Sequence, residues 1–161
     1  MAEWPEAVER VAAFLREAGA EARLEEFADG TPTAADAARA VGCSLDQIVK
    51  SLVFDCDGKP VLVLVPGDRR ADADKVARAA GAARARVAGR PEVERATGYE
   101  PGAVAPFALR DVETVLVDRG VLVHDVVWVG AGSPSHMAGI SPAELLRLSR
   151  ATPTDVVEAG D

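Results

Sequence analysis

Residues 49–65 read VKSLVFDCDGKPVLVLV, and this stretch decides the fold class. Val49–Asp55 alternates as a β-strand does, and Pro60–Val65 follows as a second strand. The sequence Cys56-Asp57-Gly58-Lys59 between them is typical of a tight hairpin turn. The two strands are therefore predicted to pair antiparallel, so the sheet that contains them cannot be wholly parallel.

Helical patterns and further short strands flank this hairpin on both sides. Several of the predicted helices begin at a capping residue or end at a glycine, and the five lie at residues 5–18, 34–41, 72–80, 91–96 and 142–149. Further strands are predicted at residues 22–27, 83–87, 112–117, 121–124 and 126–129. Residues 152–161 are expected to fray. Strands interleaved with helices in this way indicate a mixed α/β (α+β) domain.

Length and composition fit one globular domain, residues 1–161. Hydrophobic residues make up 48% of the chain and charged residues 27%, which is ordinary for a soluble protein. No apolar run reaches the roughly 20 residues that cross a membrane, and the first residues lack the regions of a signal peptide. We therefore expect a cytoplasmic protein without a membrane partner. Cys43 and Cys56 are expected to remain thiols, and their spacing suggests no metal site.

The charge of the chain is unevenly distributed. The net charge of −8 argues against a general nucleic-acid coat protein, and DNA is not an expected partner. Residues 69–95 nevertheless carry eight basic and four acidic side chains. This basic strip is able to hold a short polyanion weakly, but a solvated helix face explains the same pattern.

Lys50 is the first residue that suggests chemistry. It is one of only three lysines, and it lies in a strand whose two faces both look largely buried. An ammonium group that leaves bulk water needs a partner or a ligand. Lys50 is therefore predicted either to face a cleft or to reach solvent from an edge strand.

Two glycine-containing segments are the other features. The loop at residues 97–106 combines Gly102 with two prolines, and a stiff loop with free N–H groups can bind a carbonyl oxygen or an oxyanion. A rigid crossover loop is the alternative. The turn at residues 130–136 follows a valine-rich strand, as ligand-binding turns often do, but it lacks the nucleotide-binding glycine patterns.

The two histidines do not indicate a catalytic pairing by sequence. His124 lies near a strand junction, and His136 follows the glycine-rich turn. Neither has a nucleophile at a recognisable spacing, so a surface or capping role is favoured for each. The chain also lacks the G-x-S-x-G pattern of a serine hydrolase.

Three stretches together resemble the YbaK/EbsC family of aminoacyl-tRNA deacylases, which is related to the editing domain of bacterial prolyl-tRNA synthetases. The first is GCSLDQIVKSLVF at residues 42–54, similar to the family's Q-I-x-K-x-L segment. The second runs from Thr97-Gly98-Tyr99 through Gly102 to Pro106, similar to its TGY and G-x-x-x-P motifs. The third is VWVGAG at residues 127–132. The resemblance covers about residues 5–150.

The resemblance implies both a fold and an activity. The fold is a curved, mixed β-sheet of about seven strands surrounded by helices. The activity is hydrolysis, in trans, of the ester that joins a wrong amino acid to a tRNA, with tRNA for proline as one substrate and a synthetase as a further partner. Neither a cofactor nor a metal is implied. The catalytic positions carried over are Lys50 and Gly102, and the substrate-binding positions are Phe27, Thr33, Ser51, Pro106, Gly130 and Gly132.

The chain departs from the family pattern at four positions, namely Phe27, Ala103, Ala105 and Gly130. Many members that act on cysteine carry Tyr near position 27 and Ser at position 130, while alanine-type relatives have His at the latter. Gly130 is thus expected to leave space for a side chain larger than alanine. Two other functions stay open: a non-catalytic relative that binds tRNA or a synthetase, and a module that binds or hydrolyses a small molecule.

Overall fold

The fold is described from a computed structural model, which covers residues 4–27 and 33–160. Its α-helices are α1 Glu6–Glu17, α2 Ala34–Val41, α3 Ala73–Ala80, α4 Arg90–Thr97 and α5 Pro142–Ser149. Its strands are β1 Ala22–Glu26, β2 Val49–Cys56, β3 Lys59–Pro66, β4 Ala85–Val87, β5 Thr114–Asp118, β6 Val127–Gly130, β7 His136–Ile140 and β8 Thr152–Thr154. Short 3₁₀ helices cover Leu45–Gln47 and Arg119–Val123. The predicted mixed α+β class is confirmed.

The β2–β3 hairpin is the centre of a five-stranded sheet in the order β4-β2-β3-β5-β8. Its antiparallel register runs from Val49 opposite Pro66 to Cys56 opposite Lys59. The two turn residues, Asp57 and Gly58, both have positive φ (54° and 90°), as a type I′ turn requires. β3 pairs with β5 in parallel, and β5 pairs with β8 in parallel, so the sheet is mixed.

A second, antiparallel sheet has the order β1-β7-β6. The strands therefore form two hydrogen-bonded sheets rather than the single sheet of about seven strands that the resemblance implied. One parallel bridge, Ile48 to Trp128, links them. The reason lies in β2, whose residues Phe54–Cys56 pair with β4. β6 lies along the same edge of β2 as β4 but meets only the first residues of β2, so the two sheets join at one end.

Both faces of the five-stranded sheet are covered. Leu62 and Leu64 of β3 belong to a core shared with α1, β6 and β7. The alternate residues, Val61, Val63 and Val65, face a smaller core that contains Val76 of α3. Burial on both faces explains why β3 is an unbroken apolar run. Each fully buried side chain of this kind contributes roughly 1.5–3 kcal/mol relative to exposure.

Three parts of the secondary structure differ from the prediction. The predicted strand at 121–124 is wrong, because the Asp118 carboxylate accepts the Gly120 N–H (2.9 Å) and starts a 3₁₀ helix there. β7 was not predicted as a strand. Fraying is also wrong for residues 152–157, since β8 pairs with β5 and Val156 is fully buried, while Asp161 lies outside the described residues. Within the described ranges, no helix has the length and apolar character required to cross a lipid bilayer.

Candidate active site

A cavity of about 250 Å³ lies where α2, the start of β2, the loop after α4 and the turn after β6 meet. Five of the residues singled out from the sequence line it: Thr33, Lys50, Ser51, Gly102 and Gly130. Its apolar wall is formed by Ala34, Ala37, Ile48, Val49, Leu52, Val104 and Met137. The three sequence stretches that are far apart along the chain therefore meet at one cavity.

Thr33 is the N-cap of α2. Its Oγ1 accepts the backbone N–H of Asp36 (3.1 Å), and its hydroxyl donates to the Asp36 carboxylate (2.8 Å). Gly42 ends the helix in the left-handed conformation (φ 74°). The Thr33 hydroxyl is thus used to hold the helix that forms one wall of the cavity.

Lys50 is held in place by the loop that follows β3. Its Nζ donates a hydrogen bond to the carbonyl oxygen of Arg69 at 2.6 Å, and the side chain is partly buried. Burial lowers the pKa of Lys50 below its usual value, the positive charge of Arg70 lowers it further, and Asp68 opposes these effects. One of the three ammonium protons is engaged by Arg69, which leaves two for a ligand.

Ser51 presents an unused polar group. Its Oγ is buried, and it has no hydrogen-bond partner among residues 4–27 and 33–160. A buried hydroxyl without a partner costs roughly 1–3 kcal/mol. Ser51 lines the cavity, but its Oγ is closed to solvent in this structure.

The loop after α4 is stiff because of turns and backbone contacts. Pro101 and Gly102 occupy the centre of a turn that the Ala103 N–H closes onto the Glu100 carbonyl (3.0 Å), and Gly102 has φ 85°. This pattern is a type II β-turn. The Tyr99 hydroxyl fixes the far end of the loop by donating to the Phe107 carbonyl (2.8 Å).

Two backbone N–H groups of this loop are available to a ligand. Gly102 and Val104 both line the cavity, and within the described part of the chain neither N–H has a hydrogen-bond partner. Backbone donors that are fixed in advance stabilise a developing oxyanion without reorganising during the reaction. The loop therefore supplies the kind of group that ester hydrolysis needs.

Gly130 does not provide the space that was expected. A Cβ built on Gly130 would lie 2.5 Å from the carbonyl oxygen of Val104, closer than any real contact. The missing side chain is thus replaced by the backbone of the loop, which approaches β6 directly. Gly130 sets the position of the loop, and the expectation that it makes room for a larger substrate side chain is wrong.

His136 belongs to the cavity, although the sequence favoured a surface or capping role. It is 2% exposed, and its Nδ1 lies 2.6 Å from the Ser133 hydroxyl. Its Nε2 lies 3.1 Å from a carboxylate oxygen of Glu26 but is not aligned for a hydrogen bond. The register of β1 and β7 places Glu26 opposite His136. The Ser-x-x-His spacing was the one local signal, and the pairing with Glu26 is invisible in the sequence.

Three predicted substrate-binding residues do not line the cavity. Phe27 packs against the cluster that contains Ile48 and Met137, behind the cavity wall, and its N–H donates to the Ser135 carbonyl (2.7 Å). Pro106 is buried within the loop. Gly132 packs against α1, where a Cβ would lie 2.8 Å from the backbone of Ala7. Phe27 and Gly132 contact elements next to the site, while Pro106 stiffens the loop that forms it.

The basic strip at residues 69–95 is partly neutralised. Arg86 pairs with both Asp55 and Glu92, while Arg90 pairs with Glu94. Lys75 pairs with Asp155. In the described ranges, the side chains of the strip that form no ion pair include Arg70, Arg78, Arg84 and Arg95. Arg70 is the one of these that acts on Lys50 electrostatically.

The chain is similar to proteins associated with tRNA editing. Residues 28–148 match the aminoacyl-tRNA editing domain. The uncharacterized protein YwhH of Bacillus subtilis (strain 168) is 33% identical over 127 residues, which cover 78% of this chain and 80% of that protein. The proline–tRNA ligase of Geobacillus kaustophilus is 31% identical over 133 residues, which cover 82% of this chain and 24% of the ligase. The chain thus spans about a quarter of that ligase's length.

Two solved structures share the whole fold. A candidate trans-editing enzyme for prolyl tRNA synthetase superimposes with a TM-score of 0.91 at 34% identity, covering 98% of this chain and 100% of that one. The hypothetical protein APE2540 superimposes with a TM-score of 0.86 at 33% identity, covering 92% of this chain and 99% of that one.

Proposed function

Because the chain belongs to the aminoacyl-tRNA editing domain family, we propose that it is a deacylase that hydrolyses the ester of a mischarged tRNA in trans. The observation that carries this proposal is that Lys50, Ser51 and Gly102 line one cavity. Pockets that enclose a drug-sized ligand measure roughly 300–1,000 Å³. A cavity of about 250 Å³ suits an aminoacyl group with its ester, while the terminal base stays outside.

The reaction is attack of water on the ester carbonyl. The water oxygen forms a bond to the carbonyl carbon, and the C–O bond to the ribose breaks. One proton of the water passes to the ribose oxygen, and the other is released to solvent as the carboxylate leaves. The N–H groups of Gly102 and Val104 stabilise the oxyanion that forms in between. An aminoacyl ester is already activated, so backbone donors and one ammonium group suffice without a covalent intermediate. The ribose 2′-hydroxyl of the substrate helps to position the water.

Lys50 contributes positive charge beside the ester. The carbonyl of Arg69 holds one ammonium proton, and the remaining two face the bound substrate in this proposal. They stabilise the oxyanion or bind the phosphate or ribose of the terminal nucleotide. His136, which binds Ser133, holds the part of the cavity wall that follows β6.

The size of the cavity favours small amino acids. The Val104 carbonyl occupies the room beside Gly130, and the remaining wall is apolar. We therefore expect alanine, serine or cysteine esters to be hydrolysed first, with tRNA for proline as the first tRNA to test. One methylene changes binding by only about 1–3 kcal/mol, so several amino acids are accepted. The activity also belongs in the cytoplasm, where charged tRNA is found.

The test is a panel of mischarged tRNAs, with Lys50→Ala as the variant and Lys59→Ala as its matched control. Lys59, the first residue of β3, is exposed and forms no ion pair in the described part of the chain. Loss of one donor to an oxyanion costs about 10²–10³ in kcat. We expect a loss of about 100-fold in kcat/KM for Lys50→Ala and none for Lys59→Ala. Equal activity of Lys50→Ala and the unaltered protein would refute the role given to Lys50.

The panel also separates this proposal from a non-catalytic role. Binding of charged tRNA, or of a synthetase, without hydrolysis of any ester would favour the non-catalytic relative. Hydrolysis of free aminoacyl esters with no gain from tRNA would favour a small-molecule enzyme. Under the proposed function, the protein has a net charge of −8 and binds tRNA through contacts to its phosphates. Affinity for tRNA therefore falls steeply as the salt concentration rises.

A further inference from the structure

We propose that the C-terminal segment, residues 152–158, is a positioning element for Lys50 and acts through the loop at residues 67–72. This inference rests on the proposed function and deepens it. The segment lies outside residues 28–148, which match the editing domain. It contributes no residue to the cavity lining. Its contacts nevertheless lead to the atom that holds the Lys50 ammonium group.

The first step is the connection between Lys50 and the loop. Arg69 accepts the Lys50 hydrogen bond with its backbone carbonyl, so the direction of the ammonium group depends on the path of the loop. Inside the fold, the loop is held by the Gly67 N–H on the Ile48 carbonyl (2.7 Å) and by the Arg69 N–H on the Pro66 carbonyl (3.0 Å). These bonds fix where the loop leaves β3.

The C-terminal segment holds the other side of the loop. The Arg69 guanidinium donates to the Glu158 carbonyl (2.6 Å), and the Glu158 N–H donates to the Arg70 carbonyl (2.8 Å). The Asp72 N–H donates to the Val156 carbonyl (2.8 Å). The peptide group whose carbonyl binds Lys50 is therefore held to Glu158 through the Arg69 side chain on one side and through the Arg70 carbonyl on the other.

The segment itself is firmly docked. Val156 is fully buried and Val157 is 6% exposed, both in the smaller core. The Val156 N–H donates to the buried Asp118 carboxylate (3.1 Å). Lys75 of α3 donates to the Val157 carbonyl (2.8 Å) and to the Asp155 carboxylate (3.0 Å). A segment tied to the sheet and to α3 provides a rigid support for an otherwise exposed loop.

This arrangement matters because catalysis depends on small distances. Misplacement of a catalytic group by about 1 Å is able to cost 10²-fold in rate. If the clamp loosens, the Arg69 carbonyl and the Lys50 ammonium group shift together while the cavity walls stay in place. Because this inference takes Lys50 as a donor to the oxyanion, the expected consequence is a fall in kcat with little change in KM.

The sharpest test compares two substitutions at one position. Glu158→Pro removes the N–H that binds Arg70, whereas Glu158→Ala changes an exposed side chain and keeps that bond. One hydrogen bond is worth about 0.5–1.5 kcal/mol, which corresponds to a loss of about 2-fold to 13-fold in kcat for Glu158→Pro. Glu158→Ala is expected to keep the full rate. Arg69→Ala, which removes the second clamp but leaves the carbonyl, serves if Glu158→Pro does not fold.

A double-mutant cycle distinguishes positioning from general damage. In the Lys50→Ala background, Glu158→Pro is expected to have no further effect on kcat, because its effect passes through Lys50. The same fold-loss in both backgrounds would overturn the proposal, since it would show that the segment supports the fold alone.

A second readout does not depend on activity. The chain has only three lysines, so acylation of each amine by acetic anhydride is resolved by mass spectrometry. Lys50 is expected to react several-fold faster in Glu158→Pro than in Glu158→Ala, while Lys59 stays unchanged. Unchanged Lys50 reactivity would overturn the positioning role. If no mischarged tRNA is hydrolysed by any variant, the proposed function fails, and this labelling still decides whether the segment orients Lys50.

Discussion

Substitution of Gly102 by alanine tests the backbone donors directly. Gly102 has φ 85°, and no atom lies within 4 Å of the place where a Cβ would stand. The cost is therefore conformational, roughly 1–2 kcal/mol for an alanine in the left-handed region. Gly81, the C-cap of α3, offers a matched control because its φ is 69° and its surroundings are equally open. Both variants are expected to lose about 1 kcal/mol of unfolding free energy.

The two variants are expected to differ in activity. In the Gly102→Ala variant the loop relieves the strain by rotating φ at this position toward negative values, which turns the peptide groups beside the cavity. Loss of one oxyanion donor costs about 10²–10³ in kcat. Urea unfolding should thus give similar stabilities, while deacylation of a pre-charged tRNA falls about 100-fold for Gly102→Ala and stays unchanged for Gly81→Ala. Deacylation rates within twofold of each other would refute the assignment of the loop as the oxyanion site.

Two further predictions concern the loop contact and the acid stability. Gly130→Ala places a Cβ 2.5 Å from the Val104 carbonyl, so we expect a loss of about 1–3 kcal/mol in unfolding free energy and displacement of the loop, with lower kcat in the same deacylation assay. Normal stability and activity would contradict the close approach. The Arg147 guanidinium and the Glu21 N–H lower the pKa of Glu144 from 4.5 to about 2. Its stabilising contribution is complete above pH 4.5 and is lost as pH falls toward 2, so Glu144→Gln should flatten this part of the stability profile measured by urea unfolding. An unchanged slope would contradict the ion pair.

The pairing of β2 with β3 could be predicted from the sequence. The β2–β3 hairpin needs only the Asp57-Gly58 turn and two apolar strands, so its pairing is a local property. β7 was not predicted, although its partner β6 directly precedes it in the chain, because Ala138 and Gly139 weaken its strand pattern. Gly139 is needed there, since a Cβ would lie 2.9 Å from the Trp128 ring. Nothing local indicates that contact.

The candidate site shows the same division. Lys50 was noticeable because a charged residue in an apolar strand requires an explanation. His136 was not, because Ser133, three residues before it, is a weak local signal, and only the register of β1 and β7 brings Glu26 close to it. From the sequence, Gly130 is expected to leave space for a substrate side chain. Its φ lies outside the left-handed region, so backbone conformation alone does not require glycine there. The approach of the Val104 carbonyl, which excludes a side chain, is a tertiary contact that a single sequence does not contain.

The departures from the family motif at Ala103 and Ala105 leave the proposed chemistry intact. Both side chains are fully buried, so neither methyl group faces a substrate. Ala103 acts through its backbone, whose N–H closes the turn and whose carbonyl accepts the Gly132 N–H (3.0 Å). Every residue except proline provides both backbone groups, so alanine is as suitable here as another residue. The proposed oxyanion donors therefore depend on the positive φ of Gly102 and on the close contact at Gly130. Under the proposed function, substitutions at those two glycines should lower the deacylation rate more than conservative changes at 103 or 105.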